Sequence, residues 1–291
     1  MKRAEKRRLK AIRQASIDAG NQGLLYNARG KPADFLMNMY QGAGVFLMGG
    51  GPSLLKSDLT QLDQRGIVTA TMNQTAAVYR SNLWFSVDAQ TQFCESIWTD
   101  PGIMKFTKQK YLSRFIHGWN GTDAYVDVMK KVQSLPNVWG FEHTDMGKTP
   151  WNPAAFLKQP SPTWGSTSKE NDPEGKHYHK SVMLVALRLC YWLGFRRVYL
   201  LGCDFKQKTG NAYAFDQDAT AGRAGSNNRL YGWLNRRFNE LQPYFMMHGF
   251  EVFNCTPGGR LLSFPRLPLE KAVELEAARV PAVHTAGHYR A

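Results

Sequence analysis

Apolar positions along this chain fall into short runs that stop abruptly at glycine or polar residues. Val45-Phe-Leu-Met48 is one such run, bounded by glycine, and has the length of a buried strand. It ends in Gly49-Gly50-Gly51-Pro52-Ser53, after which leucines at 54, 55, 59 and 62 follow a helical period. Ile67–Met72 and Leu83–Val87 read as strands that end at Asn73-Gln74 and Asp88. The stretch 178–194 reads as a helix with apolar residues at Val182, Val185, Ala186, Leu189 and Leu193, closed by Gly194. A strand over Arg197–Leu201 leads to Gly202-Cys203-Asp204-Phe205. A helix from Asn227 to Met247, a strand over Glu251–Asn254 and a helix over 268–279 complete the pattern. Alternating strand and helix signals predict an α/β fold, a Rossmann-like parallel sheet flanked by helices.

Between these segments the pattern lapses. Residues 100–176 are irregular and rich in Pro, Gly, Asn and Trp, with a short helix expected near 122–134. This region and 206–226 are expected to be lid or acceptor loops inserted in the sheet. The division that follows is a basic arm at 1–20, one domain over 21–267, and a C-terminal helix and tail over 268–291.

Composition narrows the class. The chain has 291 residues, 43% hydrophobic, with 8 Trp, 12 Tyr and 16 Phe, enough for a large core and too apolar for a disordered protein. Its formal charge is +14. Seven basic residues against Glu5 in the first thirteen positions give a local +6 and leave +8 for the rest. A basic body suits a polyanionic partner, and equally a lysine-rich soluble surface. Cys94, Cys190, Cys203 and Cys255 show no CxxC and read as free thiols of a reducing compartment. The basic start lacks the apolar segment of a secretory signal, and Val182–Gly202 is broken by three arginines. A cytoplasmic protein without a membrane span is expected.

The candidate chemistry sits at the predicted strand ends. Glycines between a strand and a helix let the backbone approach an anion, and a helix N-terminus there would point N–H groups at a phosphate, with Ser53 as its cap. The spacing is neither GxGxxG nor GK[ST], and a plain tight turn is the alternative. Asn73 suits a base or ribose; Asp88 and Asp204 suit a ribose or an acceptor hydroxyl. Lys206, Lys208 and Tyr213 could neutralise a leaving phosphate without a metal. His179, just before a helix, is a candidate general base. No metal-ligand spacing is present.

In order and context these segments resemble the bacterial sialyltransferase-like proteins and their wider group, which includes phage-encoded relatives and archaeal hydroxymethylpterin pyrophosphokinases. Gly49-Gly-Gly-Pro-Ser-Leu54 is similar to the family's GxGPSL loop, Asn73-Gln74 to its Asn-Gln pair, Leu193–Phe205 to its LGxxxIYLxGxDF strand, and Tyr213-Ala-Phe-Asp216 to its YAFD. The resemblance spans residues 45–262. It implies a metal-independent glycosyltransferase with a nucleotide-activated sugar as donor. Gly49, Gly50, Gly51, Pro52, Ser53, Asn73 and Gln74, with Asp88 and Ser181, would then bind the nucleotide. Asp204, Lys206, Tyr213 and His179 would form the catalytic set. Two departures stand out. Lys206 occupies the place of the family's first phosphate-binding tyrosine, and no histidine lies between Asp204 and Asn227. The sialic acid donor is therefore open, and the base is displaced, with His179 the candidate. The phage-encoded relatives and the basic charge together point to double-stranded DNA, through a hydroxymethylated pyrimidine, as acceptor. For a phage protein the compartment would be the host cytoplasm. Two other readings remain: a Mg²⁺-dependent pyrophosphokinase or nucleotidyl transferase using Asp88, Asp204 and Asp216, and a non-catalytic nucleic-acid-binding protein on a degenerate enzyme fold.

Overall fold

The computed structural model describes residues 24–119, 125–142, 151–158 and 181–280. Its strands, in chain order, are β1 (Leu25–Tyr26), β2 (Gly44–Met48), β3 (Thr69–Met72), β4 (Leu83–Phe85), β5 (Met104–Lys108), β6 (Phe115–Trp119), β7 (Tyr125–Lys131), β8 (Val138–Phe141), β9 (Arg197–Leu201), β10 (Gly210–Asn211), β11 (Asp218–Ala219) and β12 (Glu251–Asn254). The α-helices are α1 (Glu95–Thr99), α2 (Val182–Leu193), α3 (Ala221–Met247) and α4 (Leu269–Ala277).

Eight strands form one sheet in the order β1-β8-β5-β4-β3-β2-β9-β12. All neighbours are parallel except the edge pair β1–β8. From β2 the chain winds one way through β3, β4, β5 and β8, and the other way through β9 and β12. The reversal falls between β2 and β9, the place where open α/β sheets leave a crevice for a ligand.

The buried runs explain the sheet. All five residues of β2 are buried, as expected of a strand covered on both faces. Alternate residues serve opposite faces. Val45 and Leu47 join the cluster under α2 and α3, while Phe46 and Met48 join a second cluster with Tyr199, Leu201 and Val273 of α4. Helix α2 begins where Ser181 Oγ accepts the Met183 N–H (3.2 Å) and ends at Gly194, whose φ of +103° suits glycine. A Cβ there would come within 2.8 Å of the Asn38 and Gln41 backbone.

Several expectations are corrected. No α-helix follows the glycine loop. Instead there are two 3-10 turns, Pro52–Lys56 and Leu59–Leu62, separated by Ser57 and Asp58 in extended conformations that interrupt the leucine period. The expected helix near 122–134 is strand β7 and a 3-10 turn over Val132–Ser134; β7 pairs antiparallel with β6. The irregular region also supplies β5 and β8 to the main sheet. The loop 206–226 holds the short β10–β11 pair, and α3 starts at Ala221, six residues before the expected Asn227, where Thr220 Oγ1 accepts the Arg223 N–H (3.3 Å). The basic arm, the parts of the irregular region at 120–124, 143–150 and 159–176, and the tail beyond 280 lie outside the described residues.

Candidate functional site

A cavity of about 870 Å³ opens at the carboxyl ends of β3, β2 and β9. Gly49, Gly50, Gly51, Pro52, Asn73, Gln74, Asp88, Ser181, Asp204, Lys206 and Tyr213 all line it. Most residues singled out in the sequence are thus brought together, although they span more than 160 positions. Ser53 is the exception. It is buried behind the wall, where its hydroxyl donates to Asp204 Oδ2 (2.8 Å). His179 lies outside the described residues.

The glycine loop has a different reason for its composition than the one read from sequence. None of Gly49–Gly51 has a positive φ, and no α-helix starts there, so neither a dipole nor a cap by Ser53 is available. What needs glycine is packing against the neighbouring strand end. A Cβ on Gly51 would overlap the Asp204 carboxylate, and one on Gly49 would lie 2.9 Å from Gly202 O. Backbone bonds staple the loops together: Gly49 N–H to Leu201 O and Gly51 N–H to Gly202 O, each 2.8 Å. Ala214 N–H donates to Gly50 O (2.9 Å), which carries the Tyr213–Phe215 segment across the cavity mouth. The rings of Tyr213 and Phe215 stack with centroids 5.0 Å apart.

Asp204 braces this arrangement. Besides Ser53 Oγ, its carboxylate lies 3.3 Å from the Ser53 N–H, and its carbonyl accepts from Arg260 N–H (2.7 Å). The next residue, Phe205, is held at φ +51°, unusual for an aromatic residue, with its ring stacked on Tyr231. This turn places Lys206 on the exposed rim and Gln207 beneath it.

At the β3–β4 side, Asn73 is also left-handed, at φ +50°. Its carbonyl accepts from the buried Trp84 Nε1–H (2.7 Å), and its Nδ2 donates to Asp88 Oδ2 (2.8 Å). Asn73 Oδ1, Gln74 Oε1 and Thr75 Oγ1 are buried there without hydrogen-bond partners among the described residues. Gln74 Nε2 lies 3.1 Å from Cys94 Sγ. Burial pushes the Asp88 carboxyl above its ordinary range, against the charge of Lys108 and the bond from Asn73. Burial also pushes the Cys203 and Tyr231 groups that line the cavity up to about 12, so both stay protonated at neutral pH.

Thr75, Cys94, Gln207, Phe215 and Arg223, which reasoning from sequence missed, also line the cavity. Gln207 and Phe215 sat inside segments already singled out and were legible there. Among the described residues no group of three or more His, Cys, Asp or Glu could hold a metal ion, and no helix is long and apolar enough to cross a membrane. Cys190, Cys203 and Cys255 are buried free thiols, while Cys94 is partly exposed at the cavity.

The sheet order and the cavity at its reversal define an α/β protein with a strand-end ligand crevice. No protein-family model and no curated protein matches the chain. Among solved structures, it is similar to the sialyltransferase CstII from Campylobacter jejuni, determined in complex with a substrate analogue, cytidine-5'-monophosphate. The two share 16% identity at a TM-score of 0.43, covering 78% of this chain and 85% of that one.

Proposed function

We propose that the chain is a glycosyltransferase that moves a sugar from a nucleotide-activated donor to an acceptor hydroxyl. One observation carries this reading: motifs scattered from residue 49 to 216 converge on a single cavity at the sheet's reversal, of a size suited to a nucleotide sugar. The nucleoside lies toward Asn73, Gln74 and Asp88, whose free acceptor atoms suit ribose hydroxyls or an exocyclic amine. The phosphate lies toward Lys206 and Tyr213, two strands and more away along the rim. The acceptor oxygen attacks the anomeric carbon as the carbon–oxygen bond to phosphate breaks. The electron pair leaves on the phosphate oxygen, and the acceptor proton passes to a base, for which His179 is the candidate. Lys206 and Tyr213 offset the charge that develops on the leaving group, a task that a metal ion performs in other enzymes.

The acceptor we assign to nucleic acid, a hydroxymethylated pyrimidine in DNA, on the strength of the +14 charge. A thermal-shift panel of nucleotides and nucleotide sugars against the full chain tests the donor. A rise in melting temperature with one nucleotide sugar, undiminished by EDTA, is the expected result. No response to any nucleotide overturns the reading, and activity abolished by EDTA and restored by Mg²⁺ moves it to a pyrophosphokinase or nucleotidyl transferase.

A further inference from the structure

One amide on α3 sets the direction of two groups at the phosphate end of the cavity. Asn227 Nδ2 donates to Gln207 Oε1 (2.5 Å) and lies 3.4 Å from the Tyr213 hydroxyl oxygen, to which it also donates. Asn228 holds the same loop by its backbone: its Oδ1 accepts the Gln207 N–H (2.8 Å) and its Nδ2 donates to Gln207 O (2.9 Å).

These bonds have a consequence for polarity. An amide whose oxygen is engaged by Asn227 must turn its nitrogen elsewhere. Gln207 Nε2 is buried and has no hydrogen-bond partner among the described residues, and Gln207, only 5% exposed, lines the cavity. A phenol oxygen that accepts a hydrogen bond keeps its own proton to give. Asn227 thus leaves Gln207 and Tyr213 as two neutral donors and offers neither an acceptor. A buried N–H left unmet has lost its water without replacement, a cost recovered only when an acceptor arrives. Lys206 and Arg223 line the same cavity, as do Asp216 and Asp204, whose carboxylate accepts from Ser53. Two neutral donors left open to the cavity match an oxyanion.

We infer that Asn227 is the positioning residue of a phosphate subsite in which Gln207 Nε2 and Tyr213 Oη bind non-bridging phosphate oxygens, with Lys206 and Arg223 offsetting the charge. The inference rests on the glycosyltransferase reading only for what carries the phosphate.

Titration calorimetry of the full chain tests it with three probes: inorganic pyrophosphate, the nucleoside 5'-diphosphate that raises the melting temperature most, and its parent nucleoside. Asn227→Asp puts an acceptor where a donor was, drawing Gln207 Nε2 and the Tyr213 proton away from the cavity. It is expected to weaken the diphosphate and pyrophosphate about tenfold or more while leaving the nucleoside within twofold. Asn227→His, whose ring N–H still donates, should recover part of the loss. Gln207→Glu serves as the second variant, since it keeps the side-chain volume and puts an oxygen in place of Nε2; the same selective loss is expected. Equal loss for nucleoside and diphosphate means that Asn227 only holds the fold, and overturns the inference, as does no loss at all. If wild type binds pyrophosphate through Asn227 but no nucleotide, the subsite stands and the sugar-nucleotide reading falls. If it binds nucleotides but Asn227→Asp leaves them unaffected, the reverse holds. Binding of none of the probes overturns both.

Discussion

Asn73 and Phe205 are both held in the left-handed region at the ends of β3 and β9, where a β-carbon costs about 1–2 kcal/mol relative to glycine. At Asn73 that cost places an amide against Asp88 and leaves Oδ1 facing the cavity. Asn73→Gly removes the backbone cost and the amide together. Nucleoside affinity is expected to fall about tenfold with little change in melting temperature, because two hydrogen-bonding atoms leave the site. An unchanged affinity in calorimetry would mean that the nucleoside lies elsewhere. Asp88 gives a complementary test. Burial raises its folded pKa, so ionisation is disfavoured by folding. Its contribution to stability is complete below the unfolded pKa and is lost as pH rises through the folded one. Asp88→Asn is therefore expected to melt higher than wild type at pH 7, with the gap closing toward about pH 3, and to bind nucleoside more weakly. A gap that stays constant with pH would rule out this titration as the source.

At the scale of elements, α4 is locked to the opposite end of the sheet by one carboxylate. Glu276 accepts from Gly44 N–H (3.1 Å), from the Tyr199 hydroxyl (2.8 Å) and from Arg197, with which it forms a buried ion pair. Burial pushes Glu276 up, but the bonds from Arg197 and Tyr199 and the charges of Arg197 and Arg279 outweigh it, leaving the carboxyl below its ordinary range. A depressed folded pKa means stability that is present above the unfolded pKa and lost as pH falls through the folded one. Glu276→Ala is expected to cost about 3–5 kcal/mol in chemical denaturation at pH 7, since it strands Arg197. The deficit should shrink in acid. The same scale shows what could be read in advance. Strands β2 and β9 and helix α2 announced themselves, because each carries an apolar run or a helical stripe that stops at a glycine, while β12, with only Val252 and Phe253 apolar, was marked by Gly249 ahead of it. Strand β5 did not. Its Lys105 is fully buried, with Nζ donating to the carbonyls of Asp100, Ile103 and Pro136, so a core strand carries lysines and reads as polar. The leucines of 54–62 misled in the opposite sense: they kept a helical period over two separate turns. The cavity's strand-end residues were legible because a polar residue directly after an apolar run marks the rim of a parallel sheet. The braces behind them, Ser53 with Asp204 and Asn227 with Gln207, depend on bonds between segments 20 to 151 residues apart, which no local pattern carries.

For the whole molecule, the relevant quantity is charge. Seven of the basic residues fall in the first thirteen positions, and the remainder of the chain is still +8. If nucleic acid is the acceptor, retention on double-stranded DNA should weaken steeply with salt. Removing residues 1–13 should flatten the slope by up to about 0.9 for each phosphate that the arm neutralises. Transfer to a small acceptor with no DNA retention at low salt would remove nucleic acid from the reading. Lys206→Ala should act on the chemistry instead, lowering kcat about 10²–10³-fold with little change in KM, because the charge it meets develops in the transition state. A variant with full kcat would place Lys206 in solvent.

The backbone bond from Ala214 N–H to Gly50 O closes the cavity with two partners 164 residues apart in sequence. During synthesis, the loops at 49–53, 73–75 and 88 leave the ribosome long before their counterpart wall. Until residues 197–204 emerge, β2 has no β9 to pair with, and the glycines that later pack on Gly202 and Asp204 lack their partners. The chain at that stage holds one wall of the cavity and an unpaired strand; pairing with β9 comes first and the bond from Ala214 after it. A chain stopped before β9 should therefore associate through that edge, seen as concentration-dependent oligomers in sedimentation, and adding the segment from 181 onward in trans should dissolve them.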